Sequence, residues 1–262
     1  MDCQSLRIER RGPSAWIWMC RPEVHNAFDE TLIDELAISF EVLDAEAPVR
    51  VIVLAGEGKS FSAGADLQWM TRLGAASFDE NLKDARALAA LFSTISQCRT
   101  PTVARVHGAA LGGGMGLASA CDICVASTQA SFATSEVKFG LIPSAISPYV
   151  VRAIGERQAY RYFQTAERIS AARAREIGLA HEVVEQDQLD DRVLRIVDQL
   201  LAGAPLAQAA ATDLIRAVVN RPIDDTVVDQ TAQRIAGIRA TPEAKEGLGA
   251  FLEKRAPAWL PR

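Results

Sequence analysis

Two glycine-bearing turns, each directly behind a short apolar run, most constrain what this chain can fold into. The first spans residues 59–67 (KSFSAGADL), follows the apolar run 51–54 and leads into a helical stretch. The second spans residues 107–116 (HGAALGGGMG), follows the run 103–106 and opens a helix of small residues. Continuous apolar runs of that length mark strands buried on both faces, as in a sheet covered by helices. Glycine lets the backbone approach a ligand closely. The first-turn amides of a helix have no internal partner and carry the positive end of its dipole. Singly, each turn reads as a tight loop. As a pair behind buried strands, they describe an anion-binding pocket made of main chain. Familiar phosphate motifs do not fit them. A G-x-G-x-x-G read from Gly112 fails at Leu117, and a P-loop ending in Gly58-Lys59-Ser60 needs a glycine where Val53 stands. Neither Ser60 nor Ser62 lies in a G-x-S-x-G elbow.

The rest of the chain reads as strands first and helices later. Strands are expected over residues 6–9 and 15–20 around a Gly12-Pro13 turn, and over 123–126, 131–133 and 181–184. Residues 29–43 are helical by spacing, with Leu32, Leu36, Phe40 and Leu43 on one face and Asp29 as N-cap. Further helices are expected over 78–98, 144–154, 156–166, 171–178 and 187–202. Pro205 suits the first turn of another, and only helices follow it. The pattern predicts an α/β protein with a core of repeated β-β-α units over residues 1–203 and a helical region over 204–262.

Composition excludes several classes of function. A chain of 262 residues with 49% hydrophobic and 23% charged residues is globular. A net charge of −5 disfavours nucleic acid and anionic membranes as main partners. No apolar run is long enough to span a bilayer, and the first residues, MDCQSLRIERRGP, do not read as a secretory signal. The expectation is a cytoplasmic protein. Five cysteines, an odd number without an export signal, argue against a disulfide framework. Cys121 and Cys124 form a C-x-x-C with no second pair at zinc spacing, and read as buried thiols. His25, His107 and His181 have no partner at metal spacing, so no metal and no separate cofactor are expected, and His107 reads as structural.

The segments FSAGADL and HGAALGGGMGLASACD together resemble the crotonase (enoyl-CoA hydratase/isomerase) superfamily. RPEVHNAF, FATSEVKFGLIP, AERISAARAREIGLAHEVV and GLGAFLEKRAPAW extend the likeness nearly end to end. The resemblance implies a ββα spiral core, coenzyme A thioester substrates, and homotrimers or homohexamers held by the C-terminal helices. It places an oxyanion hole at the backbone amides of Ala65 and Gly113. These would meet the charge that develops on the thioester carbonyl, each such donor being worth roughly 3 kcal/mol in the transition state. It makes Glu136 the acid–base. It places coenzyme A along Glu23, Val24, His25, Ala63, Asp66, Leu67 and Gly112, with Phe251 and Lys254 reaching the nucleotide of a neighbouring subunit.

The family's hydratases carry a second glutamate two residues beyond the triple glycine, and here Gly116 stands in its place. One carboxylate suffices for syn hydration, and equally for moving a proton between the α- and γ-carbons of a thioester, which would make an isomerase. FSAGADLQWM and IPSAISPYVVRAIGER resemble bacterial 3-methylglutaconyl-CoA and isohexenylglutaconyl-CoA hydratases, which favours hydration of a branched glutaconyl substrate. Arg72, Lys83, Lys138 and Arg152 are candidate partners for its distal carboxylate. Trp69, Met70, Leu91 and Ile146 are candidate pocket walls. The rival reading is a non-catalytic acyl-CoA- or RNA-binding member. Retention of Glu136 and both turns opposes the first form of it, and the acidic balance opposes the second.

Overall fold

The computed structural model describes residues 3–260. Its strands are β1 (Leu6–Arg11), β2 (Ser14–Met19), β3 (Val51–Gly56), β4 (Thr102–Val106), β5 (Ala109–Leu111), β6 (Ile123–Ser127), β7 (Ser131–Ala133), β8 (Ile169–Ser170) and β9 (Glu182–Val184). Its helices are α1 (Glu30–Ala45), α2 (Leu67–Ala75), α3 (Phe78–Gln97), α4 (Gly113–Ala120), α5 (Ser147–Thr165), α6 (Ala171–Glu176), α7 (Leu189–Ala202), α8 (Pro205–Val218), α9 (Asp225–Ala240) and α10 (Pro242–Leu252). Six strands form one sheet in the order β1-β2-β3-β4-β6-β9, antiparallel only between β1 and β2. β5, β7 and β8 form a second, smaller sheet.

The apolar strands are explained by burial on both faces. On β3, Ile52 and Leu54 face the main core with α1, α3 and α4, while Val51 and Val53 face α7. Helix α7 supplies Leu189, Val193, Ile196 and Val197, spaced to fall on one face against Trp16, Val103 and Val125. Asp29 caps α1 by accepting from the Leu32 amide at 2.8 Å. Ser77 and Glu80 form a reciprocal capping box at the start of α3. Each such cap contributes about 1 kcal/mol.

The structure departs from the sequence reading in a few places. β5 lies inside what reads as a continuous glycine-rich turn. Its three residues are ordered by parallel pairing with β7, from Ala109 against Ser131 to Leu111 against Ala133, a tertiary effect too short to show as periodicity. The helix expected from residue 144 begins at Ser147, because Pro148 is placed in its first turn. The break expected between residues 154 and 156 is present as a kink in α5, where Gly155 takes φ 77° and ψ 155°.

The C-terminal helices are tied back to the sheet layer. Arg216 of α8 donates to the carbonyls of Ser96 and Cys98, and Arg50 donates to that of Gly203. Large apolar residues stay exposed along this region, including Leu206, Ile215, Ile223, Phe251 and Leu252. Among the described residues no helix is long and apolar enough to cross a membrane. Cys98, Cys121 and Cys124 are buried free thiols. Burial pushes those of Cys98 and Cys124 up to about 12, which suppresses thiolate chemistry.

Candidate active site

The two turns lie against each other. Phe61 N donates to His107 O at 2.9 Å, Ser62 N to Ala109 O at 3.0 Å, and Leu111 N to Ser62 O at 2.9 Å. Close approach explains the glycines. A Cβ on Gly108 would lie 2.1 Å from the Lys59 carbonyl oxygen, and one on Gly114 would lie 2.4 Å from that of Ser62. His107 braces the junction as a neutral ring. Its Nε2 donates to the Gly58 carbonyl at 3.0 Å, so its Nδ1 must accept from Arg105 at 3.2 Å. Burial lowers its pKa and favours the neutral ring.

Neither the Ala65 amide nor the Gly113 amide donates to any other group among the described residues. Three backbone groups next to them are engaged. Gly64 O accepts from Phe28, Asp66 N donates to Phe28 O, and Gly112 N donates to Ala133 O. Ala65 is exposed at the mouth of the first turn, and Gly113 is the first residue of α4. Two unclaimed amides on adjoining turns are what an oxyanion hole requires.

Glu136 arrives at this junction from β7, in a short 3₁₀ turn, Glu136–Phe139, closed by Gly140 in the left-handed region. A Cβ on Gly112 would lie 3.2 Å from Glu136 Oε1, so the carboxyl is in contact with the second turn. Its Oε2 is buried and has no hydrogen-bond partner among the described residues. Burial raises its pKa, against a smaller opposing contribution from its own backbone amide. A carboxyl in that state exchanges protons closer to neutral pH than an ordinary one.

Gly116 explains why the site holds one carboxylate. A Cβ there would meet Ile146 Cγ2 at 2.3 Å and Phe92 Cε1 at 2.9 Å. The space is filled by apolar side chains, and Phe92 packs tilted against Tyr149 with centroids 5.8 Å apart. Leu91, Ile146 and Trp69 are buried in the main core, and Met70 is half-buried. Trp69 Nε1 also donates to Asp84, which ties α2 to α3.

The segment 23–25 joins the first turn through His25. Its carbonyl accepts from Ala63 at 2.9 Å, and its Nδ1 lies 3.1 Å from Ser60 Oγ. Glu23 and His25 are exposed and Val24 is half-buried. Asp66 caps α2 by accepting from the amides of Gln68 and Trp69, and Leu67 is 80% exposed beside it. Phe251, also 80% exposed, and Lys254 stand at the end of α10. Among the described residues no hydrogen bond or ion pair joins them to either turn.

Two of the four candidate cations are already engaged. Arg72 pairs with Glu30 at 2.6 Å on the outer surface, and Arg152 donates to Ser96 and lies over the Tyr149 ring. Lys83 and Lys138 make no ion pair among the described residues, and Lys138 lies on the same 3₁₀ turn as Glu136. Sequence reasoning passed over Arg21, Asn26 and Phe28. Asn26, buried at φ 54°, accepts from Arg21 N and donates to the Glu57 and Ser60 carbonyls. A buried asparagine inside RPEVHNAF was the available signal.

Known proteins of the same build can now be set beside this geometry. A solved structure from Legionella pneumophila superposes with a TM-score of 0.93 at 46% identity, covering 97% of this chain and 98% of that one. An enoyl-CoA hydratase from Shewanella pealeana superposes with a TM-score of 0.95 at 42% identity, covering 98% and 96%. An enoyl-CoA hydratase of Alternaria alternata is 35% identical over 91% of this chain and 78% of its own length. The model of the enoyl-CoA hydratase/isomerase family matches residues 12–262. With nearly its whole length matched, and with paired turns whose two amides have no partner among the described residues beside a half-buried glutamate, this chain belongs to the enoyl-CoA hydratase/isomerase family.

Proposed function

We propose that this protein hydrates a 2-enoyl-CoA thioester with Glu136 as its only acid–base carboxylate. The observation that carries this reading is the contact of Glu136 with Gly112, beside two amides that no other group among the described residues claims. Glu136 would take a proton from water as the water oxygen bonds to the β-carbon. The C=C electrons move onto the thioester oxygen, where the Ala65 and Gly113 amides meet the charge. The proton then passes from Glu136 to the α-carbon on the same face. Coenzyme A would run along Glu23, Val24, His25, Ala63, Asp66 and Leu67, with Phe251 and Lys254 serving a neighbour's nucleotide in a homotrimer or homohexamer. The exposed apolar residues of α8 to α10 support such an assembly, since patches of that kind are rare on monomers.

The substrate class we infer is a branched glutaconyl thioester. Its support is the resemblance of FSAGADLQWM and IPSAISPYVVRAIGER to hydratases of that class, and Lys138 is the unpaired cation nearest Glu136 in the chain. A second reading, double-bond isomerisation, is favoured by the apolar filling at Gly116. A dry site with one carboxylate also suits proton transfer between the α- and γ-carbons.

A panel of enoyl-CoAs that includes 3-methylglutaconyl-CoA separates these readings. Hydration removes the conjugated thioester absorbance and adds the mass of one water. Isomerisation moves the double bond at constant mass. A preference for straight-chain substrates would remove the glutaconyl assignment, and turnover at constant mass would remove hydration.

A further inference from the structure

The amides of Ala65 and Gly113 belong to different turns, so a third group has to set the distance between them. Phe28 touches both. Phe28 N donates to Gly64 O at 2.6 Å, and Asp66 N donates to Phe28 O at 2.8 Å. The residue between those two is Ala65, which pairs with Phe28 as an isolated parallel bridge. In that pairing the bridged residue's own amide faces away from the partner strand, which leaves the Ala65 N–H free. The Phe28 ring meanwhile occupies the place of a side chain on Gly113. A Cβ there would lie 2.4 Å from Phe28 Cε2 and 2.8 Å from Cδ2. Phe28 is 1% exposed and packs toward Phe92, so its ring is held from behind.

Arg21 anchors the same segment. Its Nη1 lies 2.8 Å from Asp29 Oδ2 and donates to Ala27 O at 2.7 Å, and its Nη2 lies 3.2 Å from Asp66 Oδ2. Both aspartates use Oδ1 to cap a helix, Asp29 for α1 and Asp66 for α2. One planar guanidinium thus ties the caps of two helices to the Ala27 carbonyl just before Phe28, a geometry that lysine does not reproduce.

We propose that Phe28 is a positioning residue that sets the spacing of the two oxyanion donors, and that Arg21 fixes it to both helix N-termini. The main chain of Phe28 holds Ala65 and its ring bears on Gly113. This rests on the reading of those two amides as the donors. An error of 1 Å in such a site costs about a hundredfold in rate, so a relaxed spacing lowers kcat while leaving coenzyme A contacts in place.

The test is the carbonyl stretch of a bound, isotope-labelled acyl-CoA thioester, measured by difference infrared with kcat and Kd on the same preparation. The parent is expected to shift the stretch to lower frequency than in water. Phe28→Leu and Arg21→Lys are expected to lose most of that shift and about tenfold or more in kcat, with Kd nearly unchanged. Gly113→Ala is expected to cost less in the Phe28→Leu background than in the parent, because the closest ring contact is gone. If Phe28→Leu fails to fold, Arg21→Lys carries the test. A folded Phe28→Leu or Arg21→Lys variant with full shift and full kcat overturns the proposal and leaves the donor assignment intact. A parent with no shift at all overturns the donor assignment itself.

Discussion

Replacing Gly116 with alanine would place a methyl carbon 2.3 Å from Ile146 Cγ2 and 2.9 Å from both Ile146 Cβ and Phe92 Cε1. Ile146 is buried and β-branched, so it has few ways to turn aside. Overpacking of this kind costs about 1–3 kcal/mol, and contacts this short belong at the upper end. Alanine gains about 1 kcal/mol over glycine in the interior of a helix, which here is α4. The expected net loss is therefore about 2 kcal/mol. Ile146→Ala alone should cost about 2–5 kcal/mol through the cavity it leaves. With both changes the alanine at position 116 fills part of that cavity, so the double variant should be more stable than Ile146→Ala alone. Urea unfolding at one protein concentration reads this as shifts in midpoint at constant slope. A Gly116→Ala protein as stable as the parent, or strictly additive effects, would refute the claim that apolar packing closes the second carboxylate's place.

Further outcomes follow from the site and the assembly. Glu136, raised above its ordinary value of 4.5 by burial, must be ionised to accept a proton, so the acid limb of kcat/KM should lie above pH 4.5. Its effect on stability has the opposite sense. The folded state binds this proton more tightly, so the contribution is complete below the unfolded pKa and is lost as pH rises through the raised one. Glu136→Gln should therefore gain stability over the parent as pH rises above 4.5, and parallel curves would contradict the shift. Ala65→Pro removes one donor at a residue outside the left-handed region, and should lower kcat by about 10²–10³ with thioester affinity retained. Light scattering should give a mass three or six times 28.3 kDa, and Lys254→Ala should weaken coenzyme A binding in that assembly. A stable, active monomer would refute both parts.

The legible parts of the fold were those whose signal is local. Residues 51–54 and 103–106 are continuous apolar runs because helices cover both faces of β3 and β4, and that requirement is written in the runs themselves. The turns behind them were legible because close backbone approach forces glycine at Gly108 and Gly114, and a φ of 49° favours it at Gly112. Glu136 was different. A single glutamate in a 3₁₀ turn has no periodicity, and only the family resemblance of its segment marked it. β5 was hidden inside the glycine-rich turn, and β8 is only two residues long. Arg72 looked free in the sequence because nothing in its spacing reveals Glu30 across the surface. Arg21 and Phe28 stand in a segment that the resemblance did mark. Their part in the site depends on which side of the first turn that segment crosses, and only the folded chain decides this.

The most direct test of the central claim compares parent and Glu136→Gln on one 2-enoyl-CoA, with binding of its saturated analogue measured on the same samples. Glutamine keeps the size of the side chain and removes the base. The expected result is a loss of about 10²–10⁴ in kcat with analogue affinity nearly unchanged. Turnover by Glu136→Gln within about tenfold of the parent, roughly 1.4 kcal/mol in the barrier, would contradict the assignment of Glu136 as the acid–base.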